Sequence, residues 1–260
     1  MNITVSEYYK DDSSVRQFAE HIESIFESGG TVLHGERNVI KHFKPGEPGS
    51  PDREVIVKRF KRPAFVQRIV YTYVRRSKAE RSFRNACELR NRGISAPREI
   101  AFIENRKGGL LDYCYFISEP DFSPPIINQL REYDDCKDNF ETDFAYFVAQ
   151  LHENGILHHD LNSTNTLFGR TEEGDYTFSL IDNNRMHFYP AGKIPPVKAC
   201  LKNLCRFTKR SDIFKHVIYC YCAHRLWEDD RAERGIKMKW KFDMQRRRRK
   251  AFLKTFKSKR

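Results

Sequence analysis

The chain is 260 residues long, with 39% hydrophobic and 13% aromatic residues and a formal net charge of +12. This apolar content is enough for a large folded core, and it excludes a wholly disordered chain. The sequence contains no run of about 18 apolar residues, and its first residues lack a basic start followed by an apolar stretch. These patterns predict a protein of the cytosol, without a membrane-spanning helix or a secretory signal.

The first part of the chain has the patterns of a β-rich region with one helix. Residues 31–60 contain two alternating apolar stretches around a turn rich in Pro and Gly, which predicts a hairpin. Residues 77–92 carry a helical apolar stripe, and Ser77 with Glu80 three residues later predicts a capping box. Gly93 suits the end of this helix. Two more strand-like runs, REIAFIE and LDYCYFISE, come next.

Helical periodicity dominates the remainder of the chain. Five apolar residues share one predicted helical face, namely Phe140, Phe144, Phe147, Val148 and Leu151. Strands first and helices later predict an α+β fold of two lobes, in which a cleft would be the natural ligand site. We expect a small β-rich N-terminal lobe at residues 1–118, a larger helical C-terminal lobe at 119–236 and a basic, aromatic tail at 237–260.

The strongest chemical signal is the segment LHENGILHHDLNSTNTLF, which is followed by the strand FSLID. Asp160 and Asn165 lie five residues apart after His158, and Asp182 ends the next strand. This spacing matches the kinase catalytic pattern H-x-D-L-x-x-x-N. A kinase needs a carboxylate that accepts the proton of the attacking hydroxyl, which is the role predicted for Asp160. Mg²⁺ prefers hard oxygen ligands, and the Asn165 amide oxygen with the Asp182 carboxylate would suffice to hold it.

A structural alternative exists for this loop. Asp160 would then be a turn residue and Asn165 a helix cap, as short polar side chains often are. The preceding amphipathic helix, the nearby His158 and the strand-terminal Asp182 together favour the kinase hypothesis.

Further residues are predicted to contact ATP. Lys58 ends the apolar strand EVIVKRF, where a kinase has the lysine that reaches the α- and β-phosphates. We expect its ion-pair partner on the following helix, with Glu80 as the first choice and Glu88 as the second. Gly35 stands where a glycine-rich loop would be, and backbone N–H groups beside it could cover phosphates. Glu119 lies in the predicted inter-lobe hinge, whose backbone could bind adenine.

These motifs together resemble the lipopolysaccharide kinase family, the sugar kinases that phosphorylate Kdo or heptose in the inner core of bacterial lipopolysaccharide. The resemblance spans residues 31–226 and is carried by GERN, VIVKRF, SKAERSF, RGISAP, LHENGILHHDLNSTN and LIDNNRM. It implies a protein-kinase-like fold, ATP with Mg²⁺ and a lipid-linked sugar acceptor. By matching position, it makes Asp160 the catalytic base, Asn165 and Asp182 metal ligands and Lys58 an ATP contact.

The chain departs from protein kinases after the predicted metal ligand. His159 stands where many kinases have Arg, and Asp182 is followed by Asn183, Asn184 and Arg185 instead of Phe-Gly. No Ala-Pro-Glu segment follows. These departures favour a small-molecule or glycolipid acceptor over a protein. The sequence leaves open whether Asn183 and Asn184 orient the metal ligand or a sugar.

Two segments concentrate the basic charge. Residues 237–260 contain twelve Lys or Arg and one acidic residue, and residues 58–84 contain ten Lys or Arg and one acidic residue. Apolar and aromatic residues alternate with these charges, which suits an anionic membrane surface. We therefore expect a peripheral protein on the inner face of the cytoplasmic membrane. Nucleic acid is the competing partner, which we do not expect, and a merely solubilising tail is the simplest alternative.

The preferred hypothesis is an ATP-dependent kinase that phosphorylates a Kdo hydroxyl of the lipopolysaccharide inner core or lipid A precursor. An atypical, RIO-like protein kinase is the first alternative, because it would share the His-Asp-Asn-Asp set. An ATP-binding pseudokinase module is the second, because only one glycine marks the phosphate loop.

Overall fold

The computed structural model of the protein describes residues 1–132 and 139–257. The chain forms two structural units, each with its own network of contacts. The first unit consists of Met1–Phe122 with Ile181–Arg185, and the second consists of Ser123–Leu180 with Met186–Arg260.

The first unit is built on a six-stranded antiparallel sheet in the order β1-β5-β6-β4-β3-β2. Its strands are β1 (Asn2–Val5), β2 (Thr31–His34), β3 (Val39–Phe43), β4 (Val55–Phe60), β5 (Glu99–Lys107) and β6 (Leu110–Ser118). Its helices are α1 (Ser13–Glu20), α2 (Ile22–Ser28), α3 (Phe65–Tyr73) and α4 (Lys78–Asn91).

Strand β4 shows how alternation places a functional side chain. Val55 and Val57 are fully buried in the core of this unit, and Lys58 follows on the other face of the strand. Lys58 is paired on both sides, with Ile40 of β3 and Phe116 of β6. Its backbone is therefore fixed by two neighbouring strands.

Helix α4 confirms the predicted helix and its cap. The Ser77 hydroxyl accepts a hydrogen bond from the Glu80 backbone N–H at 3.1 Å. After the helix, Gly93 has a positive φ of 72° and its N–H donates to the Arg90 carbonyl. Such a left-handed residue ends a helix at low cost only when it is glycine.

The second unit is mainly helical, with two small two-stranded antiparallel sheets. Its helices are α5 (Ile126–Glu132), α6 (Phe140–Glu153), α7 (Val197–Leu204), α8 (Ser211–His224) and α9 (Asp229–Lys257). Its strands are β7 (Ile156–His158), β8 (Thr166–Arg170), β9 (Tyr176–Leu180) and β10 (Met186–Phe188), with β7 paired to β10 and β8 paired to β9.

The predicted apolar face of α6 lies in the core of the second unit. Phe140 and Phe144 are fully buried, and their rings contact Phe178 of β9. Phe144 also packs on Phe207, which precedes α8. This aromatic cluster anchors α6, whose C-terminal end leads directly into β7 and the loop with the predicted catalytic residues.

The basic tail expected at residues 237–260 does not begin at a boundary between structural elements. Over the described residues it is the continuation of α9, which starts at Asp229 and runs to Lys257. In the part of the chain that the structure describes, no helix is both long and apolar enough to cross a membrane.

Candidate active site

The loop between β7 and β8 holds Asp160 through a buried histidine. His158 ends β7 and is fully buried, and its Nδ1 accepts a hydrogen bond from the Asp160 backbone N–H at 3.1 Å. Since Nδ1 is the acceptor, a neutral His158 ring carries its proton on Nε2. The His158 side chain therefore fixes the backbone of Asp160.

Asn165 is oriented by the same loop. Its amide Nδ2 donates to the Asp160 carbonyl at 3.0 Å, and its backbone N–H donates to the Asn162 side-chain oxygen at 3.1 Å. Because the amide nitrogen is engaged in this way, the amide oxygen of Asn165 is the atom presented for a ligand. The structure thus brings Asp160 and Asn165 together in one loop.

The Asp160 carboxylate lies near an amide and a guanidinium. The Asn162 amide and the Arg206 guanidinium both lie 3.4 Å from Oδ1, at the limit of a hydrogen bond. The Asp160 side chain is 27% exposed. A carboxylate with this exposure can accept a proton from an incoming hydroxyl.

A buried chain of hydrogen bonds supports the loop, and sequence reasoning missed it. The Asn203 amide donates to the His158 carbonyl at 2.7 Å, and His152 Nε2 donates to the Asn203 side-chain oxygen at 3.0 Å. His152 Nδ1 accepts from the Tyr221 hydroxyl at 2.8 Å, which in turn accepts from Arg225 at 2.8 Å. Helices α6, α7 and α8 are therefore connected to the catalytic loop. The available sequence signal was a histidine at the apolar end of α6.

Burial lowers the pKa of His152 from its usual 6.5 to about 4. Its folded-state pKa is depressed, so the neutral ring stabilises the fold above pH 6.5, and this contribution is lost as the pH falls towards 4. Between pH 7 and pH 5 we expect the wild type to lose about 2 kcal/mol more free energy of unfolding than His152→Gln. Urea unfolding at the two pH values measures this difference. An equal loss in both proteins would contradict the assignment.

The first unit contains two further predicted site residues in direct contact. Lys58 Nζ donates to Asp182 Oδ1 at 2.8 Å, and the Lys58 side chain is only 14% exposed. The Asn184 side-chain amide donates to the same carboxylate oxygen. Asp182 has a positive φ of 58°, which non-glycine residues adopt mainly where the surroundings impose it. These contacts place the carboxylate of Asp182 beside Lys58.

Helix α4 holds the segment after Asp182 through two polar side chains that sequence reasoning missed. Arg81 donates to the Asn184 carbonyl at 2.9 Å, and Asn85 donates to the Asn183 carbonyl at 2.6 Å. The question left open for Asn183 and Asn184 therefore has a partial answer. The side chain of Asn184 orients Asp182, and the backbone of both residues is attached to α4.

The prediction of an ion pair between Lys58 and a glutamate of α4 is wrong. Glu80 pairs with Arg76 at 3.2 Å and Arg84 at 2.7 Å, four residues before and after it. Glu88 pairs with Arg92 at 2.7 Å. Over the described residues, neither glutamate contacts Lys58. Arginines one helical turn away reach the glutamates more easily than a lysine on another element.

Gly35 lies in a turn between two strands and Glu119 follows a strand, and their contacts do not by themselves indicate a nucleotide site. Gly35 is in the turn between β2 and β3, and a Cβ built on it would meet only Val32, at 3.8 Å. Glu119 follows β6, and its backbone N–H donates to the Arg98 carbonyl at 2.9 Å. Its carboxylate accepts from the Tyr9 hydroxyl. The contacts of these two residues with a nucleotide stay predictions.

Lys78 and Arg81 of the first unit lie near other cations. Burial lowers the pKa of Lys78, and the charges of Arg37, Arg81 and Arg185 lower it further. Burial likewise lowers the pKa of Arg81, with Arg75 and Arg185 adding to the effect. Mutual repulsion of this kind indicates a positive potential that an anion would relieve.

The donor set suits Mg²⁺ better than a transition metal. No group of three or more His, Cys, Asp or Glu that could hold a metal is found among residues 1–132 and 139–257. Mg²⁺ does not need such a group, since it keeps several waters and takes one or two protein oxygens with substrate phosphates. The Asp182 carboxylate and the Asn165 amide oxygen are ligands of this type.

Comparisons with known proteins agree with the kinase motif. The Lipopolysaccharide kinase (Kdo/WaaP) family model matches residues 57–216. A search of curated proteins finds no match. Among solved structures, WaaP in complex with acyl carrier protein is similar with a TM-score of 0.60 and 16% identity, covering 94% of this chain and 99% of that one. Rio2 kinase from Chaetomium thermophilum, in an ADP/Mg²⁺–phosphoaspartate complex, gives a TM-score of 0.42 and 16% identity, covering 86% and 75%.

The fold is that of the protein-kinase-like phosphotransferases, because the WaaP structure aligns over nearly the whole length of both chains. The family match covers more than half of the chain and includes Lys58, Asp160, Asn165 and Asp182. The chain therefore belongs to the lipopolysaccharide kinase (Kdo/WaaP) family. It is a kinase that uses ATP to phosphorylate a sugar hydroxyl of lipopolysaccharide.

Proposed function

We propose that the protein transfers the γ-phosphoryl group of ATP to a Kdo hydroxyl of the lipopolysaccharide inner core or lipid A precursor, with Mg²⁺ as cofactor. Family membership supports the sugar acceptor class. The observation that carries the catalytic assignment is the fixed loop, in which His158 binds the Asp160 N–H and Asn165 binds the Asp160 carbonyl. Kdo as the particular sugar follows from the resemblance of the sequence motifs.

Asp160 is the proposed catalytic base. Its carboxylate is part-exposed, so it can receive the proton of the attacking sugar hydroxyl. Arg206 places a positive charge 3.4 Å from this carboxylate. The buried His158 keeps the base in place.

Asn165 and Asp182 are the proposed metal ligands. Asn165 presents its amide oxygen because its amide nitrogen is bound to the loop, and Asp182 is oriented by Lys58 and Asn184. When bound, Mg²⁺ neutralises charge on the phosphates and orients them for transfer. Lys58 is close enough to the Asp182 carboxylate to share a phosphate contact with the metal site.

ATP binding is assigned to the first unit. The cations around Lys78 and Arg81 support a polyphosphate ligand, since burial and neighbouring arginine charges lower the pKa of both residues. Gly35 and Glu119 are proposed to contact the phosphates and the base through their backbones. For Glu119 this contact would use the carbonyl oxygen, because the N–H already donates to Arg98. Glu80 supports this region through Arg76 and Arg84 and is proposed to act only indirectly.

A peripheral position on an anionic membrane is part of the proposal, and α3 supports it. None of the α3 side chains is buried. Phe65, Val66 and Tyr73 are 66%, 70% and 73% exposed. Lys61 and Arg75 flank this apolar helix on either side. An exposed apolar face beside basic residues suits the interface of an anionic bilayer.

The test uses vesicles of anionic phospholipid that contain Kdo–lipid A, with lipid A lacking Kdo as the matched control. With ATP and Mg²⁺ we expect one added phosphate on Kdo–lipid A by mass spectrometry and none on the control. Sedimentation of the protein with the vesicles is measured in the same samples. Absence of product, or equal product on the control lipid, overturns Kdo as the acceptor. Protein that stays in the supernatant contradicts the membrane part.

A further inference from the structure

A cavity of about 940 Å³ in the second unit brings the proposed base together with a set of cations. Asp160 is the one acidic residue among its described lining residues. Its basic lining residues are Arg206, Lys209, Arg210, Arg246 and Arg249. This volume is in the range of pockets that bind small-molecule ligands.

The cations of α9 enter this cavity from one face of the helix. Phe242, Gln245, Arg246 and Arg249 line the cavity and follow the spacing i, i+3, i+4 and i+7. The four consecutive arginines of the tail are therefore not equivalent. Arg247 and Arg248 are exposed but do not line the cavity.

A buried lysine fixes α9 against the opposite wall. Lys239 is only 5% exposed, and its Nζ donates to the Cys205 carbonyl at 3.2 Å and to the Thr208 carbonyl at 2.7 Å. The same ammonium pairs with Asp243 at 2.9 Å, one turn further along α9. Since the segment with Cys205 and Thr208 also carries Arg206, the two basic walls of the cavity are held together. The shape of the cavity is therefore fixed by contacts between α9 and the segment with Cys205 and Thr208.

The positive charge of the cavity is only partly compensated. Arg210 pairs with Asp212, and Arg206 lies 3.4 Å from Asp160. Within residues 1–132 and 139–257, no carboxylate pairs with Lys209, Arg246 or Arg249. Like charges gathered around a concave site raise its potential and attract an anionic ligand. Because these cations and the proposed base line the same cavity, an anionic ligand held there would lie beside Asp160.

We propose that this cavity binds the acceptor through anionic groups, carboxylate or phosphate, borne by the sugar, with Arg246 and Arg249 of α9 as specificity-determining contacts. Lys209 adds a third cation from the other wall, and Phe242 gives an apolar surface for the sugar ring. The inference rests on the proposed function and refines it. It gives α9 a role in acceptor recognition, distinct from the membrane attachment expected of the tail.

The experiment measures binding of a water-soluble probe to the full chain by calorimetry. The probe is the saccharide of Kdo–lipid A after complete removal of its acyl chains, so no membrane is involved. The variant R246Q/R249Q is compared with R247Q/R248Q, which removes the same charge from the same helix outside the cavity. We expect at least about tenfold weaker binding for R246Q/R249Q, because two charge-assisted hydrogen bonds are lost. We expect little change for R247Q/R248Q and unchanged ATP affinity in both.

Two modified saccharides identify the anion, one with its phosphates removed and one with its carboxylates reduced to alcohols. Loss of binding with either confirms that the cavity recognises that group. Equal weakening by both arginine pairs, or by neither, overturns the inference, as does loss of ATP affinity in R246Q/R249Q alone. Wild-type protein that binds the saccharide in this way but adds no phosphate refutes the proposed function and leaves the inference standing. If the wild type phosphorylates Kdo–lipid A but R246Q/R249Q binds the saccharide with unchanged affinity, the proposed function stands and the inference is refuted.

Discussion

Replacing Asp160 with asparagine is expected to lower kcat by about 10²–10⁴-fold, the range for loss of a general base. Asparagine keeps the shape of the side chain, so the backbone hydrogen bond to His158 and the Asn165 contact should survive. It cannot accept the proton of the sugar hydroxyl at neutral pH. ATP affinity should change little, because the proposed ATP contacts lie in the first unit. Product formation is measured by mass spectrometry, and ATP affinity by calorimetry.

Asp175→Asn is the matched control for this variant. Asp175 is an exposed residue of the turn before β9, and its backbone carbonyl accepts from Thr171. The substitution removes one carboxylate from the same unit without touching the loop of Asp160. We expect wild-type kcat for this control. A kcat for Asp160→Asn within a few-fold of wild type would remove Asp160 from the role of base.

Asp182→Asn is expected to lower kcat by about 10³-fold and to weaken the dependence of the rate on Mg²⁺, since metal stabilisation of phosphoryl transfer contributes several kcal/mol. The amide also removes the charge that pairs with Lys58, which is 14% exposed and 2.8 Å away. A part-buried ammonium without its partner destabilises its surroundings. Initial rates over a Mg²⁺ series and the affinity for ATP with Mg²⁺ measure the two effects.

Asp112→Asn serves as the control for Asp182→Asn. Asp112 lies in β6 of the same unit and pairs with Arg62 and Arg68, so its loss removes ion pairs of the first unit without affecting the Lys58–Asp182 pair. The Mg²⁺ dependence of Asp112→Asn should match wild type. If Asp182→Asn kept the wild-type Mg²⁺ dependence, Asp182 would not be a metal ligand.

Local patterns allowed much of the fold to be predicted, and they placed the candidate base and metal ligands on a loop and at a strand end. The Ser77 cap depends on residues three apart, and the buried face of α6 depends on helical periodicity. The bond between Asn165 and Asp160 likewise joins residues five apart. Interactions between residues a few positions apart depend on the local spacing of residue types, so a single sequence can reveal them.

The contacts that sequence reasoning missed join distant parts of the chain. His152 reaches Asn203, 51 residues away, and Arg81 reaches Asn184, 103 residues away. The choice of Glu80 for Lys58 failed because several charged residues of α4 compete for partners, and only the fold decides which of them meet. The sequence of the tail revealed its positive charge but not which of its residues face the cavity. That depends on the second wall of the cavity, which lies in residues 206–210.

The assignment of Ile181–Arg185 to the first unit limits how the protein can be divided. A fragment ending at Phe122 would contain Lys58 but not Asp182, and its α4 would lack the carbonyls that Arg81 and Asn85 bind. The unit is discontinuous in the gene, so no single cut separates it. A chimaera that exchanges this unit between relatives would have to carry over both coding stretches, and the short one must stay matched to its α4.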